Sequence, residues 1–337
     1  MSALNDMSLV EAFAIESPTL RPRLAAGRPR SALVVGRPTE TNVRLAEAFA
    51  ARGYDSVVRA LDALPPAGAD LVLARVDVLP TLDGVEGDVW ALKRLERLGA
   101  TLLNQPLALL SAHDKLATAL LLGRAGVRQP RTAHVREPKA PRFAPPYVVK
   151  PRFGSWGRDV FRCDTAGELL ACLDRLSHRR WFRRHGAIVQ EFVETGGMDT
   201  RLVVAGGEVV GAIERLAMPG EWRTNVALGA VRRPLQPSTD ANVTALRAAA
   251  AMGIDLAGID MVVGPDGNHV VLEVNGAVDF TADYGFGGSD PFLAAVAALA
   301  DSPIEIRPSP IEIRPAAQAM MISIGFPSRS GREISCP

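Results

Sequence analysis

The stretch GIDMVVGPDGNHVVLEVN (258–275) holds two apolar runs separated by Gly-Pro-Asp-Gly-Asn. That pattern predicts a β-hairpin turning at Pro265-Asp266-Gly267. Side chains alternate faces along a strand, so Glu273 and Asn275 share one face. The turn brings Asp260 opposite Leu272 or Glu273. Two carboxylates and an amide oxygen then converge, a hard-oxygen set suited to Mg²⁺. The bland reading is a polar, solvent-facing side of a hairpin. Against it, IDMVV and VVLEV are apolar enough to be buried, and buried carboxylates need partners.

Upstream, YVVKPRFGSWGRDV (147–160) reads as a strand delivering Lys150 into a loop with Gly154, Ser155 and Gly157. The N–H groups of such a loop can cradle phosphate, and a lysine adds a point charge. It is not a Walker A loop, because no Gly-Lys-Ser/Thr opens a helix. An ordinary hairpin with a chance lysine is the competing reading. The lysine is conspicuous here, since only Lys93, Lys115, Lys139 and Lys150 stand among 38 basic residues. A third cluster, GEWRTNVALGA (220–230), places Arg223 and Asn225 on a loop of weak periodicity. They suit a phosphate and a metal or substrate group, or a surface loop around a packed Trp222. Arg201 opens a strand two residues after Asp199, as an internal ion pair or a ligand contact.

Strand, helix, strand, strand, helix, strand over residues 31–104 predicts a small, mostly parallel α/β domain. Its first helix is expected over 41–53, with Thr41 or Asn42 as N-cap and Gly53 as stop. SAHDKLATALLLGRAG (111–126) predicts one long amphipathic helix. Beyond it come a strand over 187–193, a hairpin at Gly206-Gly207, and helices over 165–177, 239–253 and 291–300. The expected division is a mobile extension (1–30), a parallel α/β domain (31–106), a central lobe with its glycine loop (107–192), a further lobe (193–300), and an extended tail (301–337). The tail carries SPIEIRP twice in tandem (302–308 and 309–315), too few copies for a solenoid.

The chain has 337 residues, 47% hydrophobic and 22% charged, with net charge +1. This is globular material for two or more lobes. It excludes a disordered chain and a polybasic nucleic-acid binder. No apolar run reaches the roughly 18 residues of a membrane span, and no signal peptide is visible, so a cytoplasmic location is expected. Cys163, Cys172 and Cys336 show no metal or disulfide spacing. Scattered histidines give no zinc or hydrolase motif.

DKL (114–116), VVKP with its glycine loop (148–157), VQEFV (189–193), GMDTRLVV (197–204), EWRTN (221–225), GIDMVV (258–263) and LEVN (272–275) together resemble the ATP-grasp superfamily, over roughly residues 31–300. The resemblance is to the RimK-like branch of α-L-glutamate and related amino-acid ligases. It implies an ATP-grasp fold of α/β and α+β lobes behind an N-terminal parallel domain. Lys115 and Lys150 would hold the α- and β-phosphates of ATP under a lid of Gly154, Ser155 and Gly157. Glu191 and Phe192 would sit at the hinge, with Glu191 and the backbone receiving adenine, and Asp199 would contact the ribose. Arg223 would neutralise the γ-phosphate with Asn225 beside it, and Arg201 would hold the acceptor carboxylate or an acyl phosphate. Asp260, Glu273 and Asn275 would bind one or two Mg²⁺, with Mn²⁺ as a substitute.

The implied reaction joins a carboxylate to an amine through an acyl phosphate. An amino acid such as glutamate is the expected amine, and a small-molecule, peptide or protein carboxylate the acceptor. A homo-oligomer is expected by analogy alone, and neither nucleic acid nor membrane as partner. After Asn275 the chain runs Gly276-Ala277-Val278-Asp279-Phe280 where the RimK-like pattern has Ser-Pro-Gly, so the resemblance leaves both substrates open. The alternative class is a nucleotide-binding regulator of the same fold without turnover. A binding protein of another α/β fold is the remaining alternative.

Overall fold

The computed structural model describes residues 30–64, 69–87 and 89–301. The expected N-terminal extension, the tandem SPIEIRP tail and Cys336 lie outside the described residues. The first sheet is built from β1 (Arg30–Val35), β2 (Tyr54–Arg59), β3 (Leu71–Ala74) and β4 (Thr101–Leu103), with α1 (Glu40–Ala51) and α2 (Leu92–Arg97) as crossovers. Its order is β2-β1-β3-β4 and every pairing is parallel. The N-cap of α1 is Thr39, not Thr41 or Asn42. Thr39 accepts the Asn42 N–H at 3.3 Å. The Thr41 hydroxyl is engaged elsewhere, donating to Phe280 O at 3.0 Å.

The expected single helix over 111–126 is two: α3 (Pro106–His113) and α4 (Lys115–Arg124). Asp114 breaks it at φ −92°, ψ 100°, where its carboxylate caps the N–H groups of Leu116 and Ala117. The same carboxylate takes two hydrogen bonds from Arg152. A capping aspartate competes with the helix it interrupts, and hydrophobic periodicity does not register that break.

The second sheet comprises β5 (Thr132–Val135), β6 (Tyr147–Pro151), β7 (Phe161–Cys163) and β8 (Ala187–Glu191), covered by α5 (Ala166–Ser177) and α6 (Arg180–His185). Thr165 caps α5 by accepting the Glu168 N–H at 3.1 Å. The third sheet takes β9 (Met198–Ala205), β10 (Glu208–Leu216), β11 (Val231–Pro234), β12 (Leu256–Val263) and β13 (His269–Asn275), in the order β11-β10-β9-β12-β13, all antiparallel. Around it pack α7 (Thr239–Met252) and α8 (Pro291–Asp301). The short α6 and β11 were too brief to carry a periodic signal in sequence. No described helix is long and apolar enough to cross a membrane.

The first and third sheets share a core. Leu45 and Phe49 of α1 pack with Phe280, Phe292 and Val203, and the Phe280 and Phe292 rings stack at 4.6 Å. Asn104 fastens the seam from a fully buried position at φ 56°. Its Nδ2 donates to Ala74 O and Leu256 O at 3.1 and 2.9 Å, and its Oδ1 accepts from the N–H groups of Asp255 and Leu256. On the other side, Leu82 enters the core of the second sheet and the buried Asp83 meets Arg180 at 2.9 Å. Asn104→Ala strands several buried backbone groups at once and should cost about 3–5 kcal/mol. Urea denaturation measures it, and a loss below about 1 kcal/mol would remove Asn104 from this role.

Candidate active site

Antiparallel pairing puts Asp260 of β12 opposite Glu273 of β13 on one side and Arg201 of β9 on the other. A bulge after Asp260 leaves Leu272 unpaired and resolves the sequence ambiguity in favour of Glu273. Arg201 grips Asp260 through Nε and Nη2 at 2.6 and 2.7 Å. Arg215 of β10, opposite Asp199, grips that carboxylate through Nε at 2.7 Å and also reaches Asp260 at 3.0 Å. Thr224 donates its hydroxyl to Asp199 as well. Burial alone would push the Asp260 carboxyl up, but Arg201 and Arg215 hold it well below the usual carboxylate range. Paired bidentate geometry is what lets such charges stay buried.

Above this floor lies a cleft between the second and third sheets. The Asp114 break starts α4 at Lys115, whose Nζ lies 2.9 Å from Glu273 Oε1 and donates to Gly154 O. Lys150, on β6, also lines the cleft but makes no hydrogen bond or ion pair among the described residues. Burial pushes its ammonium down to about 8, opposed by Glu273 and reinforced by Lys115. An unpaired ammonium in a cleft is a docking point for an anion.

The glycine loop roofs the cleft. Gly154, Ser155 and Gly157 all line it, and Gly157 sits at φ 69°. A Cβ there would stand 2.6 Å from Asn225 Oδ1, so only glycine lets the two loops approach. Ser155, Trp156, Arg215, Asn225 and Glu273 also face a second cavity, which continues past Arg201 and Asn275. Two spaces therefore meet at Glu273 under one loop.

Several expected contacts take a different form. The Asp199 carboxylate accepts from Arg215 and Thr224, so it positions Arg215. The Glu191 carboxylate is held by the Arg131 backbone and guanidinium, which leaves only its backbone for a base. Phe192 lines the cleft with its ring under Arg162 at 4.1 Å and edge-on to Trp222. Arg223 faces the cleft already paired with Glu221 at 2.7 Å, and donates to Gly157 O at 3.3 Å and Val160 O at 3.4 Å. It therefore ties the glycine loop down. Arg201 is committed to Asp260 while bordering the second cavity.

Sequence reasoning missed Arg215, Glu221 and Trp156. Glu221, two residues before Arg223, was visible as a candidate partner. Trp156, a large aromatic inside a glycine loop, was visible too. Its 49% exposure and φ of 60° mark it as held out from the fold.

The oxygens of Asp260, Glu273 and Asn275 are hard donors of the kind Mg²⁺ takes. Asn275 has a buried Nδ2 without a partner, and the amide can equally be turned to present oxygen there. Glu273 offers a half-buried carboxylate, and Asp260 keeps limited capacity beside its guanidinium bonds. Among the described residues no three His, Cys, Asp or Glu side chains form a metal cage. Few protein oxygens, with water and phosphate completing the shell, fit Mg²⁺.

A family model described as the RimK-like ATP-grasp domain matches residues 112–284. A probable alpha-L-glutamate ligase of Shewanella loihica is 33% identical over 191 residues, covering 55% of this chain and 62% of that protein. One of Pseudomonas fluorescens is 32% identical over the same length and the same shares. The chain thus spans under two thirds of these relatives. Among solved structures, the ATP-grasp ligase PsnB with minimal precursor superposes with TM-score 0.60 at 22% identity, over 82% of this chain and all of that one. D-cycloserine synthetase DcsG gives TM-score 0.60 at 21% identity, over 79% and 99%. D-alanine–D-alanine ligase from Bacillus anthracis with ATP gives 0.57 at 17% identity, over 82% and 97%. The fold is the ATP-grasp fold.

Lys150 loses its charge as pH rises through about 8, whereas an ordinary lysine keeps it to about 10.4. Reductive methylation with ¹³C-formaldehyde should give lysine-derived NMR signals from Lys93, Lys115, Lys139 and Lys150. A signal titrating near 8 and missing in Lys150→Arg is the expected result. A Lys150 signal titrating above 10 would show that the cleft does not desolvate it.

Proposed function

The chain belongs to the RimK-like ATP-grasp domain family, and from that premise we propose an ATP-dependent carboxylate–amine ligase working through an acyl phosphate. The observation that carries this reading is the junction at Glu273, where a lysine-lined cleft opens into a second, arginine-bordered cavity. Phosphoryl transfer needs positioning and charge neutralisation more than covalent help from protein groups. A cleft for ATP beside a cavity for the other reactants meets that need.

In this reading Lys115 and Lys150 hold the polyphosphate, and the backbone at Glu191 and Phe192 receives the base. Gly154, Ser155 and Gly157 lie over the phosphates, latched by Arg223 and Asn225. A carboxylate oxygen in the second cavity attacks the γ-phosphorus as the bond to the β-phosphate oxygen breaks, releasing ADP. An amine then attacks the acyl carbon, the bond to the phosphate oxygen breaks, and the amine sheds a proton. Arg215 and Arg201 present positive charge at the seam where the transferred group carries its negative charge. Glu273 and Asn275, with Asp260, would hold Mg²⁺, which offsets repulsion between phosphate and carboxylate. The lid excludes water, which would otherwise hydrolyse the acyl phosphate.

The expected amine is an amino acid, with glutamate first because the curated relatives are named glutamate ligases. The acceptor is a small-molecule, peptide or protein carboxylate, and the location cytoplasmic. In the same reading the lobes divide near residues 106, 192 and 300.

The test is ADP and phosphate release with Mg-ATP against paired panels of amino acids and carboxylates, with mass detection of the product. Turnover requiring both partners, and reduced at least about 100-fold in Glu273→Gln, is expected. Nucleotide binding without condensation for any pair would favour a regulator, and no nucleotide binding would end the reading.

A further inference from the structure

The stretch SHRRWFRRHG (177–186) holds four arginines, two histidines and no acid. It folds as α6, which turns Trp181 and Phe182 into the core and leaves Arg179, Arg180, Arg183 and Arg184 exposed. The charges run against the helix. Arg179 is its N-cap without a side-chain capping bond, Arg180 opens it, and its first turn has no acid. Positive charge at an amino end opposes the helix dipole, so local stability does not account for these residues.

Their counter-charge is short as well. Arg180 and Arg184, 72% and 57% exposed, share the one buried Asp83 at 2.9 and 3.5 Å. Arg179 and Arg183 make no ion pair among the described residues. Nor does Arg136, whose Nη2 donates to Arg184 O at 3.5 Å. Exposed Glu137 and Asp174 stand on neighbouring segments and form no ion pair with them among the described residues. The patch also adjoins the glycine loop. Trp181 Nε1 donates to Asp159 Oδ2 at 2.8 Å, and the His185 ring meets Phe153 edge-on at 4.9 Å. Arg158, exposed and lining the cleft, donates to Pro80 O at 3.4 Å, three residues from the Asp83 that α6 grips.

We propose that the arginines of α6, with Arg136 and Arg158, form a docking surface for an acidic polypeptide, a segment of a partner protein bearing several Asp or Glu side chains. Guanidinium forks match carboxylates in pairs. With both rings of α6 buried, the helix offers no stacking platform for bases and no apolar side chain for a lipid surface. A net charge of +1 gives no wider positive field for a nucleic acid. The surface lies on α6 and not in the cavities, so the proposal goes beyond the ligase reading and does not rest on it.

Fluorescence anisotropy on the full chain tests it. The probes are a short labelled peptide of alternating Glu and Gly, the same peptide with Gln for Glu, and an oligouridylate of equal length; phosphatidylserine vesicles are followed by sedimentation. The Glu peptide is expected to bind at least about 10-fold more tightly than the Gln peptide, and to weaken as salt rises. Arg179→Glu with Arg183→Glu should weaken it at least about 10-fold. Arg94→Glu with Arg97→Glu, an equal change of net charge on α2, should leave it within about 2-fold. The melting transition of each variant reports that it folds. Arg179→Gln with Arg183→Gln should lose part of the affinity and serves in place of the reversal should that disturb the fold, while the Glu-against-Gln comparison needs no variant. Equal binding of the Glu and Gln peptides, or equal loss from the two altered helices, overturns the proposal. Tighter binding of the oligouridylate or of the vesicles than of the Glu peptide also overturns it and assigns the patch to that class.

Discussion

The Asp260 carboxylate is the group around which the site is arranged. Two guanidinium groups from neighbouring strands close on it, and Arg215 shares itself with Asp199 one strand further out. Four charges thus alternate in sign across β10, β9 and β12 and cancel. Removing one leaves its neighbour charged and dry, a cost of about 3–5 kcal/mol for a buried pair. Because these four balance one another and Lys115 balances Glu273, Lys150 adds uncompensated positive charge to the cleft, as does Arg158, which lines it without an ion pair among the described residues. The sheet is therefore structural mass and electrostatic template together.

The other walls are brought to this floor by local backbone decisions. Asp114 interrupts a helix, and the interruption sets Lys115 at the start of a new one, aimed at Glu273. The carboxylate that makes the break also anchors Arg152, at the foot of the glycine loop. The loop's far end is held by Arg223, whose own charge is shared with Glu221; that pairing pulls the Glu221 carboxyl down to about 2. Asn104 locks the first sheet to the third from behind.

Much of this was legible in the residues. Strand runs, glycine stops and the 258–275 hairpin gave the sheets, and the scarcity of lysine singled out Lys115 and Lys150. The partners of the charged residues were not legible, for a definite reason. Counting back from the Gly206-Gly207 turn pairs Asp199 with Glu214, but a bulge at Val209/Gly211 moves the register by one and brings in Arg215. The bulge after Asp260 acts the same way in favour of Glu273. A single extra residue changes which side chains meet, and alternating hydrophobicity does not locate it. Nor does composition reveal that the carboxylates of Asp199 and Glu191 are already taken by arginines in a chain so rich in them.

Trp156 borders the cleft, the second cavity and a third recess lined by Arg37, Thr39 and Asn42 at once. One side chain is thus a common door to three rooms. Whatever fills one of these spaces lies against the same indole that walls the next.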